Sequence, residues 1–292
     1  MRPGHGRLPR FLVGPTLLLL VAFNVFPLLW NVVLSFTSAE LVGGGTRFVG
    51  GAHYARVFTD PQFATALRRT ALFVVLAVSL ELAIGFSLAL ALRRDFKAKT
   101  FVLTTLLVPM MLSPAVMGFD WSLVLNGNYG ILNQLLGVVG LPEPQWLTDR
   151  DLKFFSIRLV DVWMWTPFMM LIALAGLSSI PPAIYEAAEI DRASTWTVFR
   201  RITLPMCAPL LGLAVLLRAT DALKQFDLVM AISGPNDPST QTLSTLLYQI
   251  VFRDGKVGLG SAYACTVLVV VVALATVFTR YVDRLRERGI AR

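Results

Sequence analysis

Six long apolar runs limit what this chain can fold into. They lie at about residues 11–34, 67–92, 100–122, 156–178, 207–232 and 259–279, and each reaches the roughly 20 residues that a helix needs to cross about 30 Å of hydrocarbon. The runs are continuous and rich in Leu, Val and Ala instead of alternating every second residue, so they are predicted as helices and not barrel strands. Too little chain remains between them for a separate soluble domain. The sequence therefore reads as one transmembrane domain over residues 1–292, an all-α polytopic membrane protein with six transmembrane helices. A mean hydropathy of +0.67 agrees with a bilayer as the chain's solvent.

The cations orient the spans. Fifteen of the 26 Lys and Arg residues fall on one set of alternate segments, in clusters beginning at Arg2, Arg93, Arg192 and Arg280, and nine on the other set, with Arg218 and Lys224 inside a span. The positive-inside rule then places both termini on the cytoplasmic side of the membrane. The net charge of +8 is thereby topological, and a nucleic-acid partner is excluded because no soluble basic face exists to bind one. The opening "MRPGHGRLPR" followed by an apolar run is too long for a signal peptide and lacks a small-residue cleavage site, so it reads as a retained span. Cys207 and Cys265 read as packing residues, and His5 and His53 fall on opposite sides of the membrane, which leaves no histidine metal site. The stretch "GGGTRFVGG" (43–51) reads as a flexible linker. Residues 126–147 read as a short loop helix, either lying at the interface with Trp146 as its anchor or packed on neighbouring spans.

One polar stretch interrupts this pattern: "EAAEIDRASTWTVFRRITLPMCAP", from Glu186 to Pro209. Pro181–Pro182 mark a helix start, and Glu186 and Glu189 fall in its first turns, where the helix dipole favours acids. Ser194 or Thr195 caps a second helix that Pro205 ends or kinks. Ala187 and Ala188 allow close approach, and Ile184, Tyr185 and Ile190 supply apolar anchors. This helix–turn–helix is either a docking element for a partner's groove or an inner loop folded back on the bundle.

Ionisable groups inside spans are costly and default to functional candidates. Span five holds Arg218, Asp221, Lys224 and Asp227 at three-residue intervals, with Gln225 close in angle to Asp221. Together with Trp163, Trp165 and Phe168, these groups suit a carbohydrate path, with aromatic faces against sugar rings and carboxylates accepting from hydroxyls. The same charges equally suit pairing between helices, and Glu81 in span two has the same two readings. Asp120 and Asp161 read as solvated or capping residues near outer helix ends. A proton-coupled secondary transporter with Glu81, Asp221 and Asp227 as its relay is the rival mechanism. No nucleophile–base or metal constellation marks an enzyme.

The polar stretch resembles the EAA loop of permease subunits in binding-protein-dependent, ATP-driven importers, matching at Glu186, Ala187, Ala188, Ala193, Ile202, Leu204 and Pro205, with Asp191 and Phe199 as in the carbohydrate branch. "LELAIGFSLALAL", "YGILNQLL", "DVWMWTPFMMLIALAGLSSIPPAIYEAA" and "QTLSTLLYQIVF" extend the likeness to maltose- and glycerol-phosphate-type sugar permeases. The resemblance implies a type I importer permease fold with the coupling loop at 181–205 and ATPase contacts centred on Tyr185, Glu186, Ala187 and Ala188. It also implies a second permease subunit, an ATPase dimer that uses ATP and Mg, no cofactor on this chain, and an external sugar-binding protein or lipoprotein. Arg192 departs from the pattern, standing where Gly is usual. Either Arg192 accepts a left-handed backbone, at roughly 1–2 kcal/mol for a non-Gly residue, or the turn differs.

Overall fold

A computed structural model of the chain describes residues 8–43 and 45–290, with the side chains of 13–43 and 45–280. Of the cations counted above, Arg2, Arg7 and Arg292 lie outside the described residues, as does His5, and so do the side chains of Arg10, Arg284, Arg286 and Arg288. In chain order the helices are α1 (Val13–Ser35), α2 (Ala52–Thr59), α3 (Pro61–Leu92), α4 (Lys99–Met111), α5 (Pro114–Val124), α6 (Ile131–Val138), α7 (Arg150–Ser178) and α8 (Pro182–Ile190). They continue with α9 (Thr195–Ala222), α10 (Asp227–Ser233), α11 (Leu243–Tyr248) and α12 (Val257–Ile290). Five of them are long and apolar enough to cross a membrane, and the bent pair α4–α5 makes a sixth crossing if it counts as one span. The chain divides into two compact units, one formed by the chain up to Phe63 with Leu247–Val270, the other by Ala64–Leu246 with the chain from Val271 on.

Two of the expected spans are broken. The run 100–122 bends by 99° between α4 and α5. Pro109 removes an N–H from the last turn of α4, and Pro114 drives Ser113 out of the helical region, to φ −66 and ψ 132. The run 207–232 stops being one helix at Ala222. After a turn, α10 begins at Asp227 with buried Leu228 and Val229, and it packs so closely on α5 that a Cβ on Gly118 would stand 2.5 Å from the Cβ of Ala231. Lys224 and Asp227 therefore do not share a helix with Arg218 and Asp221.

In the larger unit α3 and α7 meet at a glycine: a Cβ on Gly85 would lie 2.7 Å from the Cβ of Met169 and 2.9 Å from the Thr166 carbonyl. Around this crossing Phe73, Ala77, Ile157, Val160 and Met169 form a buried core. Asp149 caps α7 by accepting from the N–H groups of Asp151 and Leu152 at 2.9 and 3.0 Å. The loop after α6 is pinned by buried Asn133, which donates to the carbonyls of Gly127 and Pro144, both at 3.1 Å. Trp146 is not a free interfacial anchor, because its indole N–H donates to Asn133 at 2.8 Å and its ring packs on the core. The loop after α10 is tied to α7 by Lys153 and Asp237 at 2.5 Å. Burial pushes the Asp237 carboxyl up, but Lys153 and Ser239 outweigh it and hold the group below the usual carboxylate range.

In the smaller unit the stretch read as a flexible linker is anchored. Thr37 and Phe48 form an antiparallel bridge, and the Gly258 N–H donates to the Ala39 carbonyl at 2.8 Å. A Cβ on Gly258 would collide with the Thr37 carbonyl at 1.9 Å, so only glycine lets the start of α12 lie this close. Tyr263 donates to Asp60 and meets Phe63 edge-on at 5.4 Å.

Candidate functional site

Two groups of charged residues stand out in the larger unit. The first is the α8–α9 turn. Pro182 opens α8 at its first position, and Ile184, Tyr185 and Phe199 pack against a core cluster of Phe86, Leu92, Met170, Leu177 and Cys207. Tyr185 is held from two sides, by the Arg93 guanidinium 3.9 Å above its ring and by a hydroxyl contact with Thr203 at 3.2 Å. The opposite side of α8 is open. Glu186, Ala187 and Glu189 are exposed, and Ile190 is 82% exposed, although a large apolar side chain at the end of a packed helix ordinarily finds cover.

The turn itself is a Schellman motif. The Ala193 N–H donates to the Ala188 carbonyl at 2.9 Å and the Arg192 N–H to the Glu189 carbonyl at 3.0 Å. Arg192 accepts the left-handed conformation, with φ 51, and is the only non-glycine residue to do so among the described residues. Ser194 then caps α9 by accepting from the Thr197 N–H at 3.2 Å. Pro205 does not end the second helix. The strain is absorbed by a π turn over Phe199–Thr203, closed by the Leu204 N–H on the Phe199 carbonyl, and the helix runs on to Ala222. Ala187, Ala188, Asp191, Ala193 and Ile202 line a shallow groove of about 530 Å³ between the two helices, while Leu204 and Pro205 face outward.

The second group is buried. Arg218 of α9 is 2% exposed, and its Nε donates to both oxygens of Glu81 of α3 at 3.0 and 3.2 Å. One terminal nitrogen donates to Asp161 of α7, and the other reaches Asp221 at 3.4 Å. Glu81 and Asp161 have no exposed surface. The Gln225 amide donates to the second oxygen of Asp161 at 2.7 Å, and the guanidinium lies 4.9 Å from the Trp165 ring centre. Every arm of the guanidinium fork is thus taken, which is what a charge needs in order to remain inside a bilayer.

This arrangement sorts the residues expected to line a path. Trp165, Asp221 and Gln225 gather at the Arg218 cluster, and Phe168 packs behind Trp165, edge-to-face at 6.4 Å. Trp163 does not join them. Two residues along a helix turn it by about 200°, and Trp163 instead meets Trp121 at 5.3 Å beside an apolar cavity of about 620 Å³ lined by Ile84, Leu106, Pro109, Val162 and Pro167. Lys224 and Asp227 are exposed beyond the helix break, so Glu81, Asp221 and Asp227 form no continuous relay. Asp161 is neither solvated nor a cap, because its side chain is an ion-pair partner at the centre of the cluster. Arg218 as the hub was missed; the signal was a single carboxylate on each of spans two and four, Glu81 and Asp161, since an intramembrane charge requires an opposite one. Among the described residues no cluster suits a metal ion.

Residues 81–288 match the family model described as binding-protein-dependent transport system inner membrane component. The trehalose/maltose transport system permease protein MalF of Thermococcus litoralis is 33% identical over 283 residues, 97% of this chain and 96% of that protein. The trehalose transport system permease protein SugA of Mycobacterium tuberculosis is 31% identical over 96% of this chain and 90% of its own length. In fold, the chain superposes with a TM-score of 0.84 and 21% identity on a subunit of a bacterial alginate ABC transporter solved with an alginate pentasaccharide-bound periplasmic protein, covering 95% of this chain and 94% of that one.

Proposed function

The chain belongs to the binding-protein-dependent transport system inner membrane components, and we propose that it forms one half of the membrane pathway of an ATP-driven sugar importer. Its partners in this reading are a second permease subunit, an ATPase dimer that binds ATP and Mg, and an external sugar-binding protein or lipoprotein. The sugar assignment draws on the relatives' names, which specify trehalose and maltose. Both termini and the α8–α9 turn face the cytoplasm, in keeping with the excess of cations on those segments. The chain does no chemistry of its own.

The observation that carries this reading is the α8–α9 turn. One side is fixed to the spans through Tyr185 and Phe199; the other presents Glu186, Glu189 and a bare Ile190. A rigid, half-anchored element of this kind transmits displacement of a docked ATPase to α7 and α9, the helices on either side of it. Asp221, Gln225, Trp165 and Phe168 make up this subunit's share of the sugar path. Asp221 retains a 56% exposed side chain, and an exposed carboxylate on a span faces water or a ligand more cheaply than lipid. The test is copurification: the tagged full chain extracted in mild detergent is expected to bring down a nucleotide-binding subunit and to support ATP hydrolysis stimulated by the sugar-loaded binding protein. Uptake driven by a pH gradient without any such subunit would overturn it.

A further inference from the structure

The first two turns of α9 present a group of side chains outside the docking face of α8 and apart from the Arg218 cluster. Trp196 is 66% exposed, and it is held rigid by stacking on Phe199 at 5.5 Å and 22°, which in turn packs on Phe86 at 6.0 Å. Arg200 and Arg201 are exposed on the π turn, and neither side chain makes a hydrogen bond or ion pair among the described residues. With Thr197 these three side chains line a cavity of about 450 Å³. Within two turns the outward surface of the same helix becomes apolar, with Met206 41% exposed and Leu213 and Leu217, seven and eleven residues further on and so on the same side, at 45% and 50%.

We propose that Trp196, Thr197, Arg200 and Arg201 bind the phosphodiester headgroup of an anionic phospholipid whose acyl chains lie along the apolar surface beyond. The order of chemistry along the helix supports this occupant: an amphipathic ring, then two unpaired cations, then bare aliphatic side chains, which is the order in which a bilayer presents its interface, phosphate and hydrocarbon. Two guanidinium forks match the paired oxygens of a phosphodiester, which lysines would meet only as point charges. Asp191 borders the neighbouring groove with Arg201, but no ion pair forms between them. A soluble partner has the exposed Ile190 and acidic face of α8 available instead.

The test titrates the assembled, detergent-purified complex with phosphatidylglycerol, phosphatidylcholine or inorganic phosphate while its thermal unfolding is followed. Phosphatidylglycerol is expected to raise Tm saturably, whereas phosphatidylcholine and phosphate do not. In Arg200→Gln/Arg201→Gln the phosphatidylglycerol concentration giving half the shift should rise about tenfold or more. Arg94→Gln/Lys97→Gln, which removes two exposed cations from the loop after α3, should leave it unchanged. Arg200→Lys/Arg201→Lys keeps the charge without the forks and should fall between, which covers the case in which the Gln pair fails to assemble. An equal loss in the Arg94/Lys97 control, or a full shift from phosphate alone, would overturn the lipid site. So would loss of the ATPase subunit from the Arg200/Arg201 variant at every lipid composition, since the surface would then belong to that subunit.

Discussion

The buried cluster around Arg218 and the turn between α8 and α9 use the same kinds of residues to opposite ends. In the cluster, each guanidinium arm meets a carboxylate, and Glu81, Asp161 and Arg218 are closed off from the surroundings. In the turn, Glu186, Glu189, Asp191 and Arg192 are exposed, and their side chains form no ion pair among the described residues. Charges that satisfy one another join α3, α7 and α9; charges left open remain available to another molecule. Burial and pairing, not the count of charges, separate the two roles.

The largest expected effect breaks the closed side of this comparison. Arg218→Met leaves two carboxylates buried without their cation, at a cost of about 3–5 kcal/mol, so detergent-extracted yield of assembled complex should collapse. Adding Glu81→Gln and Asp161→Asn should restore much of it, and normal yield from the single change would show that the cluster does not hold the helices together. Next comes the open side: Glu186→Lys should leave yield intact while uptake into reconstituted vesicles falls about tenfold or more, because a reversed charge at a docking surface costs several kcal/mol. Unchanged uptake and ATP hydrolysis would remove the docking role.

Asp221 stands between the two, as the one cluster member with an exposed side chain. Arg218 retains Glu81 and Asp161 without it, so Asp221→Asn should cost under about 1 kcal/mol of stability while changing uptake a few-fold. A large fall in yield would assign Asp221 to the closed side instead. The smallest effect sharpens the turn: Arg192→Gly relieves a left-handed backbone and should stabilise by about 1 kcal/mol, read as a modest rise in Tm. Loss of the copurifying ATPase in that variant would mean that the Arg192 side chain makes a contact of its own.

The spans and the turn were legible in the sequence for physical reasons, and so were the failures. Length and hydropathy locate a bilayer-crossing helix because the transfer energy sums over the whole run. The same sum is blind to the break after Ala222, where apolar residues resume at Leu228 and only the short polar run Lys224–Asp227 marks the interruption. Pro109 and Ser113–Pro114 carry the signal for the bend in the third crossing, through the backbone restriction that proline imposes on its predecessor, but hydropathy alone reads 100–122 as one straight span. Pro181–Pro182 and Ser194 marked where α8 and α9 begin. The ionic cluster needed three-dimensional pairing: Asp161 is far from Glu81 and Arg218 in the chain, and spacing along α9 alone suggested Lys224 as a partner that the helix break removes.

The π turn over Phe199–Thr203 also acts as a phase adjuster. A regular helix rotates about 100° per residue, which would put Cys207 and Leu211 about 80° and 120° round from Phe199. One residue absorbed by the wider turn subtracts about 100° from each interval, so both fall within about 20° of Phe199, one on either side. These three side chains then share the face that packs against Phe86, Met170 and Leu177. By this count, deleting one residue from the turn would straighten the helix and leave that face aligned, whereas inserting one elsewhere in α9 would rotate everything beyond it, including Arg218, away from its carboxylates.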